Sequence, residues 1–121
     1  MVNKYFNPNP NALNVGDCTV RALCKATDRD WDTVFWGIAV MANMMGNMPS
    51  ANVVWGAYLR KNGFERKLMT EDTTVREFAE QHPKGTYVLA LDGHVCTCRN
   101  GEYYDTWDSG DKNVLFYWEK G

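Results

Sequence analysis

The chain has 121 residues, of which 45% are hydrophobic and 13% aromatic, so we expect a single domain over residues 1–121 with a substantial core. Its formal net charge is −2, and no more than two Lys or Arg residues are adjacent anywhere in the sequence. This composition argues against nucleic acid and acidic membrane surfaces as partners.

The beginning of the chain does not resemble a secretory signal. Residues 1–14 are rich in Asn and Pro and lack the apolar centre of a signal peptide. The most apolar stretch, residues 36–48, is interrupted by Gly and Asn and is too short to cross a bilayer. We therefore expect a cytoplasmic protein whose four cysteines stay reduced, which leaves thiol chemistry open to it.

The first half of the chain predicts an extended segment followed by helices. Asn and Pro alternate at positions 7–10 and disfavour a helix before Gly16. The spacing of apolar residues then predicts three helices: residues 17–26, residues 31–45, and a third that begins after position 50 and ends at Gly63. Asp30 and Ser50 are the expected N-caps of the second and third helices.

The second half is rich in residues that favour strands. A short strand is predicted over residues 64–69, and Thr74 with Glu77 has the spacing of a capping box for a helix that ends near His82. Four more strands are predicted, over residues 86–91, 94–98, 102–107 and 114–118. The order, N-terminal helices followed by a small antiparallel sheet, predicts an α+β domain.

One turn fixes which residues meet across the sheet. Asn100-Gly101 is typical of a two-residue type I′ turn, and such a turn sets the register of the strands on either side. In that register Asp105 is the diagonal neighbour of His94, and side-chain alternation puts Trp107 on the same face. We therefore expect Asp105 to reach the His94 ring, whereas a loop with an odd number of residues would favour Asp108 instead. Trp107 faces His94 across the hairpin, where it could shield the contact with Asp105 from water.

Cys18 is the candidate nucleophile. It stands at the predicted start of a helix, where unpaired N–H groups and the helix dipole favour a thiolate. A thiol needs a nearby base at neutral pH, and the chain has only two histidines. His82 lies between a helix end and a proline, whereas His94 follows a glycine at the start of a strand. We expect His94 to be the base and Asp105 to orient it.

The segments that hold these residues resemble a known family. Gly-Asp-Cys at residues 16–18, Gly-His-Val at 93–95 and Tyr-Tyr-Asp at 103–105 are similar to papain-like cysteine peptidases, in which Cys, His and Asp or Asn follow one another in this order. The resemblance implies a papain-like fold for the single domain and a catalytic triad of Cys18, His94 and Asp105.

A narrower resemblance covers nearly the whole length. The chain looks like a group of small proteins of Gram-positive bacteria and their phages, through the runs NPNP at residues 7–10, GDC at 16–18, WGAYL at 55–59 and YDTWDS at 104–109. This likeness implies the fold and the triad and does not indicate a substrate.

The oxyanion hole departs from the family pattern. Papain-like enzymes carry a Gln a few residues before the nucleophile. The segment before Cys18 has no Gln, and its side-chain amides are those of Asn7, Asn9, Asn11 and Asn14. Asn9, held between two prolines, is the expected second donor beside the Cys18 N–H. Without a second donor, the tetrahedral intermediate would lose about 3 kcal/mol of stabilisation.

The resemblance implies a cysteine hydrolase that needs no cofactor. It would cleave a peptide, isopeptide or related amide bond in a peptide or protein substrate, through a thioester intermediate. Two alternatives stay open: a thiol acyltransferase or amidase that acts on a small molecule, and a catalytically inactive papain-like interaction protein of a phage or bacterium. Cys96 and Cys98 match zinc-ligand spacing poorly, so no metal site is expected.

Overall fold

A computed structural model describes residues 3–121, which form four helices and six strands. The helices are α1 (Cys18–Thr27), α2 (Trp31–Met45), α3 (Asn52–Lys61) and α4 (Val75–Gln81). The strands are β1 (Asn3–Tyr5), β2 (Phe64–Leu68), β3 (Thr86–Leu91), β4 (His94–Arg99), β5 (Glu102–Asp105) and β6 (Phe116–Lys120). Within this part of the chain, no helix has the length and apolarity that crossing a bilayer requires.

The six strands form one mixed sheet in the order β1-β5-β4-β3-β6-β2. The α+β class is confirmed, but the predicted order of helices first and antiparallel strands second is wrong. The strand β2 separates α3 from α4, and β1 precedes every helix and pairs with β5 in parallel. Parallel pairing needs a long crossover connection, which here is most of the chain, so local sequence patterns do not reveal it.

The sheet is covered on both faces. Helices α1, α2 and α3 pack on one face against Val88, Ala90 and Trp118, and α4 packs on the other against Tyr87 and Leu89. Side chains of β3 therefore alternate between two separate cores, as a strand buried on both faces requires. Helix α1 contacts strands β4 and β5. Its first residues lie near the end of these two strands where His94 and Asp105 are found.

Local capping signals are largely confirmed. The Asp30 side chain accepts a hydrogen bond from the Thr33 N–H at 2.8 Å, and Thr74 and Glu77 form both bonds of a capping box. The prediction that Ser50 caps the third helix is wrong. Helix α3 begins at Asn52, and its N-cap is Ala51, which forms no side-chain capping bond. The Ala51 N–H donates to the Met48 carbonyl, and this turn moves the helix start past Ser50.

The hairpin between β4 and β5 has the predicted register. Its ladder pairs Thr97 with Tyr104, Cys98 with Tyr103 and Arg99 with Glu102, which leaves a two-residue turn. Asn100 and Gly101 have φ angles of 50° and 81°, and a type I′ turn requires positive φ at both positions. The hairpin therefore holds Asp105 next to the start of β4.

Candidate active site

Cys18 is the first residue of α1 and is half-buried. The first N–H groups of a helix have no partner within it, so the Cys18 N–H is free to bind an external oxygen. The preceding residue, Asp17, is the N-cap of α1 but forms no side-chain capping bond. The Asp17 carboxylate is engaged by Arg21 and Trp31 instead.

The structure brings Cys18, His94 and Asp105 together. His94 begins β4, and its Nε2 lies 2.6 Å from Asp105 Oδ2. A side-chain hydrogen bond joins His94 to Cys18, and since Nε2 faces the carboxylate, Nδ1 is the ring nitrogen left for the sulfur. The Asp105 side chain is completely buried and that of His94 is 12% exposed. The sulfur and the imidazole thus meet in a protected position.

The contact between the two side chains favours an ion pair. Burial alone would raise the pKa of Cys18, but hydrogen bonds from His94 and the Val95 backbone outweigh it, so the pKa lies below its usual value. Burial alone would lower the pKa of His94, but the hydrogen bonds to Asp105 and Cys18 raise it to about 9. The two shifts act in the same sense and favour a thiolate beside an imidazolium.

The other three cysteines show the opposite behaviour. All four thiols are free, but Cys24, Cys96 and Cys98 are buried. Burial raises the pKa of Cys24 and of Cys98 to about 12, and it raises that of Cys96 as well. Only Cys18 combines partial exposure with a lowered pKa, and it is the thiol suited to nucleophilic attack.

A buried arginine, which the sequence reasoning missed, supports the Asp105 carboxylate. The two terminal nitrogens of Arg21 reach Asp17 Oδ1 at 2.8 Å and Asp105 Oδ1 at 3.2 Å. The Ser109 hydroxyl donates to Asp105 Oδ2 at 2.8 Å, and the Thr106 N–H donates to Oδ1 at 2.8 Å. Three donors besides His94 therefore fix the Asp105 carboxylate. The i,i+4 spacing of Asp17 and Arg21 was the only local signal of this cluster.

Two tryptophans, Trp107 and Trp31, contact the group formed by His94, Asp105, Arg21 and Asp17. The ring centroids of His94 and Trp107 are 4.8 Å apart, which matches the position expected of Trp107 beside the histidine. Asp17 Oδ2 accepts a hydrogen bond from the Trp31 indole at 2.9 Å. With Arg21 on its other oxygen, Asp17 has both oxygens engaged and is not available to bind a cationic substrate group.

His82 is kept away from this chemistry. Its Nδ1 lies 2.8 Å from the carbonyl oxygen of Phe78, and its ring stacks on the Phe78 ring at 3.8 Å between centroids. This aromatic cluster belongs to the core under α4. His94 is thus the histidine that can serve Cys18.

One cavity contains Cys18, and a second cavity adjoins it. The first, of about 370 Å³, contains Cys18 and His94 together with Asn52, Trp55 and Leu115. The other, also of about 370 Å³, has a largely apolar lining supplied by Val15, Val20, Trp31, Phe35 and Ile38. Thr19 and Ser50 line both cavities, so the two are neighbours. A substrate with an apolar side chain near its reacting carbonyl would fit this arrangement.

Asn9 lines neither the cavity that contains Cys18 nor the cavity that adjoins it. Its Oδ1 accepts from the N–H of Asn11 at 2.9 Å and from that of Leu13 at 3.4 Å, so the side chain organises a turn. Asn52, which no sequence motif singled out, lines the Cys18 cavity instead. Its Oδ1 accepts from the Trp55 indole at 3.2 Å, and this bond leaves the Nδ2 group available as a donor.

Within residues 3–121, no three His, Cys, Asp or Glu side chains are grouped so that they could hold a metal ion. The chain matches no protein-family model, and comparison with curated proteins and with solved structures finds no match. Its function is therefore inferred from the geometry and chemistry of the site.

Proposed function

We propose that the protein is a cysteine hydrolase that cleaves a peptide, isopeptide or related amide bond with Cys18, His94 and Asp105 as its catalytic triad. The observation that carries this proposal is the hydrogen-bonded chain from the Cys18 thiol through His94 to the buried Asp105, in which the thiol pKa is lowered and the imidazole pKa raised. Each residue has the type and position that its role requires.

The first half of the reaction forms a thioester. The Cys18 thiolate attacks the carbonyl carbon of the substrate, and the carbonyl oxygen becomes an oxyanion. As the C–N bond breaks, the His94 imidazolium gives its proton to the leaving amine. Asp105 keeps Nε2 of the ring engaged, so the proton at the other nitrogen points towards the reacting atoms.

The second half releases the acid. Neutral His94 takes a proton from a water molecule as the water attacks the thioester carbon. Collapse of the second tetrahedral intermediate breaks the C–S bond and releases the carboxylic acid. The Cys18 thiolate and the His94 imidazolium are restored as the ion pair with which the cycle began.

The oxyanion requires two donors, and we assign them to the Cys18 N–H and the Asn52 side chain. The N–H is free at the start of α1, and the Asn52 amide is held by Trp55 in the same cavity. Replacing Asn52 with Ala should slow formation of the acyl-enzyme by about 100-fold, the usual cost of losing one such donor. Asn9→Ala serves as the comparison and should have little effect.

A papain-like fold and a cytoplasmic setting belong to the same proposal. The nucleophile at a helix start, the base at the start of a strand and the orienting carboxylate in the next strand support a papain-like domain. Four cysteines that all remain free are compatible with a reducing compartment. A peptide or protein is the proposed substrate, since the two adjoining cavities offer an extended binding surface rather than a closed pocket for a small molecule.

The experiment that tests the proposal is alkylation with iodoacetamide, followed by intact mass and peptide mapping across pH. Cys18 should react rapidly at pH 7, well below the usual thiol pKa of about 8.5. His94→Ala should lower its rate at pH 7 about tenfold, because the thiolate is no longer stabilised. The three buried cysteines should stay unmodified in the folded protein.

A second measurement separates a hydrolase from a protein that only carries a reactive thiol. With p-nitrophenyl acetate, Cys18 should release p-nitrophenolate and accumulate as the acetyl thioester. Turnover of that thioester should depend on His94. Uniformly slow alkylation of all four thiols would refute the proposal and leave an interaction protein, whose biological effect would then persist in Cys18→Ala.

A further inference from the structure

A groove continues from the Cys18 cavity along one side of α3. Asn52, Gly56 and Arg60 form one wall, and Arg66 and Trp118 from strands β2 and β6 form the other. The groove has a volume of about 320 Å³. Asn52 and Phe116 line both this groove and the cavity that holds Cys18, so the two are continuous.

Two arginines in this groove are held by aromatic rings rather than by carboxylates. The guanidinium carbon of Arg66 lies 4.2 Å from the centroid of the Phe116 ring, and that of Arg60 lies 5.2 Å from the centroid of the Trp118 ring. Stacking on a ring orients a guanidinium and leaves its N–H edge free to bind an anion. Arg66 is also the cross-strand partner of Trp118.

No acidic residue of the described chain pairs with either guanidinium. The other arginines have partners: Arg21, Arg76 and Arg99 pair with aspartates, and Arg29 donates to the Tyr58 hydroxyl. The protein as a whole is slightly acidic, with a net charge of −2. Arg60 and Arg66 are both exposed and line one groove, so their guanidinium groups are open to an anion there.

Trp118, in one wall of the groove, has an unpaired side-chain donor. The indole Nε1 of Trp118 is the one buried side-chain donor without a hydrogen-bond partner among residues 3–121. Trp118 is 2% exposed and packs so closely on α3 that a Cβ at Gly56 would lie 2.7 Å from its ring. The ring on which Arg60 stacks is therefore held in a fixed position by α3.

The length of the groove relates the arginines to the reacting bond. Asn52 and Arg60 are eight residues apart on α3, which is about 12 Å along the helix axis. An extended peptide advances about 3.3 Å per residue, so about four residues would span this distance. A peptide bound with its reacting carbonyl at Cys18 would thus bring its third or fourth residue to the two guanidinium groups.

We propose that this groove binds a carboxylate of the peptide substrate, carried three or four residues from the bond that is cleaved. The inference rests on the proposed function, because it requires that Cys18, in the cavity at the other end of the groove, attacks the bound peptide. The carboxylate is that of an acidic side chain or of the chain terminus, since both offer the planar pair of oxygens that a guanidinium edge recognises.

Tethered peptides test this binding without a known substrate. The probes are chloroacetylated tetrapeptide amides that end in glutamate or in glutamine, and a free acid of the same length that ends in alanine. The Cys18 thiolate displaces chloride and forms a thioether, so the rate of labelling by mass spectrometry reports binding before reaction. The glutamate amide or the alanine acid should react about fivefold faster than the glutamine amide, and the faster of the two identifies the source of the carboxylate.

Variants assign the effect to the groove. Arg60→Gln and Arg66→Gln should each reduce the advantage of the carboxylate to about twofold or less. Lys61→Gln removes the same charge from the neighbouring position of α3 outside the groove, and it should leave the advantage intact. Rapid labelling by all probes at equal rates would overturn the groove while the hydrolase proposal stands, whereas slow labelling of Cys18 by every probe would overturn both.

Discussion

The hairpin of β4 and β5 is tied to α1 at both of its ends by Arg–Asp contacts, yet the two ends differ in burial. At the turn end, Arg99 donates to both oxygens of Asp28, which follows α1, at 2.6 and 2.7 Å. At the open end, Arg21 of α1 bridges Asp105 and Asp17. The side chains are 28% and 64% exposed in the first pair, but no more than 6% exposed in the second group.

Because of this difference in burial, the two contacts have different roles: the exposed pair positions the hairpin, and the buried group supports the candidate active site. An exposed ion pair is screened by water and contributes little to stability, whatever its geometry. A buried one cannot lose a partner without leaving an unpaired charge in a medium of low polarity. The open end is also where His94 contacts Asp105, so the buried group holds the reactive side chains in place while the turn end holds the strands.

The largest expected effect is therefore at Arg21. Arg21→Met leaves the carboxylates of Asp17 and Asp105 buried without their cation, and we expect the free energy of unfolding to fall by about 3–5 kcal/mol. Urea unfolding followed by tryptophan fluorescence measures the change. Arg21→Lys, which keeps the charge but not the two-pronged geometry, should be less destabilised. If Arg21→Met were as stable as the wild type, the buried group would contribute no more to stability than the exposed pair.

The next effect is on the titration of His94. Asp105→Asn keeps a hydrogen-bond acceptor but removes the negative charge, so the imidazolium loses part of its stabilisation. The pKa of His94 should fall from about 9 towards its ordinary value of 6.5, with the remaining elevation due to Cys18. The imidazolium, which the proposed mechanism uses to protonate the leaving amine, would then be lost at lower pH.

An NMR pH titration of the imidazole resonances reads this pKa directly, because the chain contains only two histidines. His82→Gln assigns the signals. Asp28→Asn is the matched control at the turn end, since it also removes an aspartate from an arginine but leaves His94 untouched. A His94 midpoint that moves equally in both variants would show that burial does not distinguish the two ends.

A smaller effect is expected in the turn itself. Gly101 has a φ of 81°, and a Cβ there would lie 3.4 Å from the Pro83 Cα. Gly101→Ala should cost about 1–2 kcal/mol of unfolding free energy, the usual penalty for a side chain in this conformation. The rate of Cys18 alkylation in the folded protein should not change, because the site lies at the other end of the hairpin. A slowed rate would mean that the turn sets the site geometry.

The two ends also differ in how far the sequence could predict them. The two residues Asn100-Gly101 are enough to predict the turn. That turn sets the register that brings Asp105 beside His94. The support of Asp105 is not local. Arg21 reaches it across 84 positions, and Asn52, the first residue of α3, lines the cavity that contains Cys18 although the two are far apart in the sequence. Periodicity predicts that these helices exist but does not say which polar side chains meet between them.

The smallest effect belongs to the contact with the best local geometry. Arg99→Met removes both short hydrogen bonds to Asp28, yet it should change the free energy of unfolding by less than about 1 kcal/mol, because water replaces the lost partner at this exposed position. Cys18 should alkylate as in the wild type. The same urea titration measures this change beside that of Arg21→Met, and a cost comparable to the buried variant would show that geometry, rather than burial, decides what these arginines contribute.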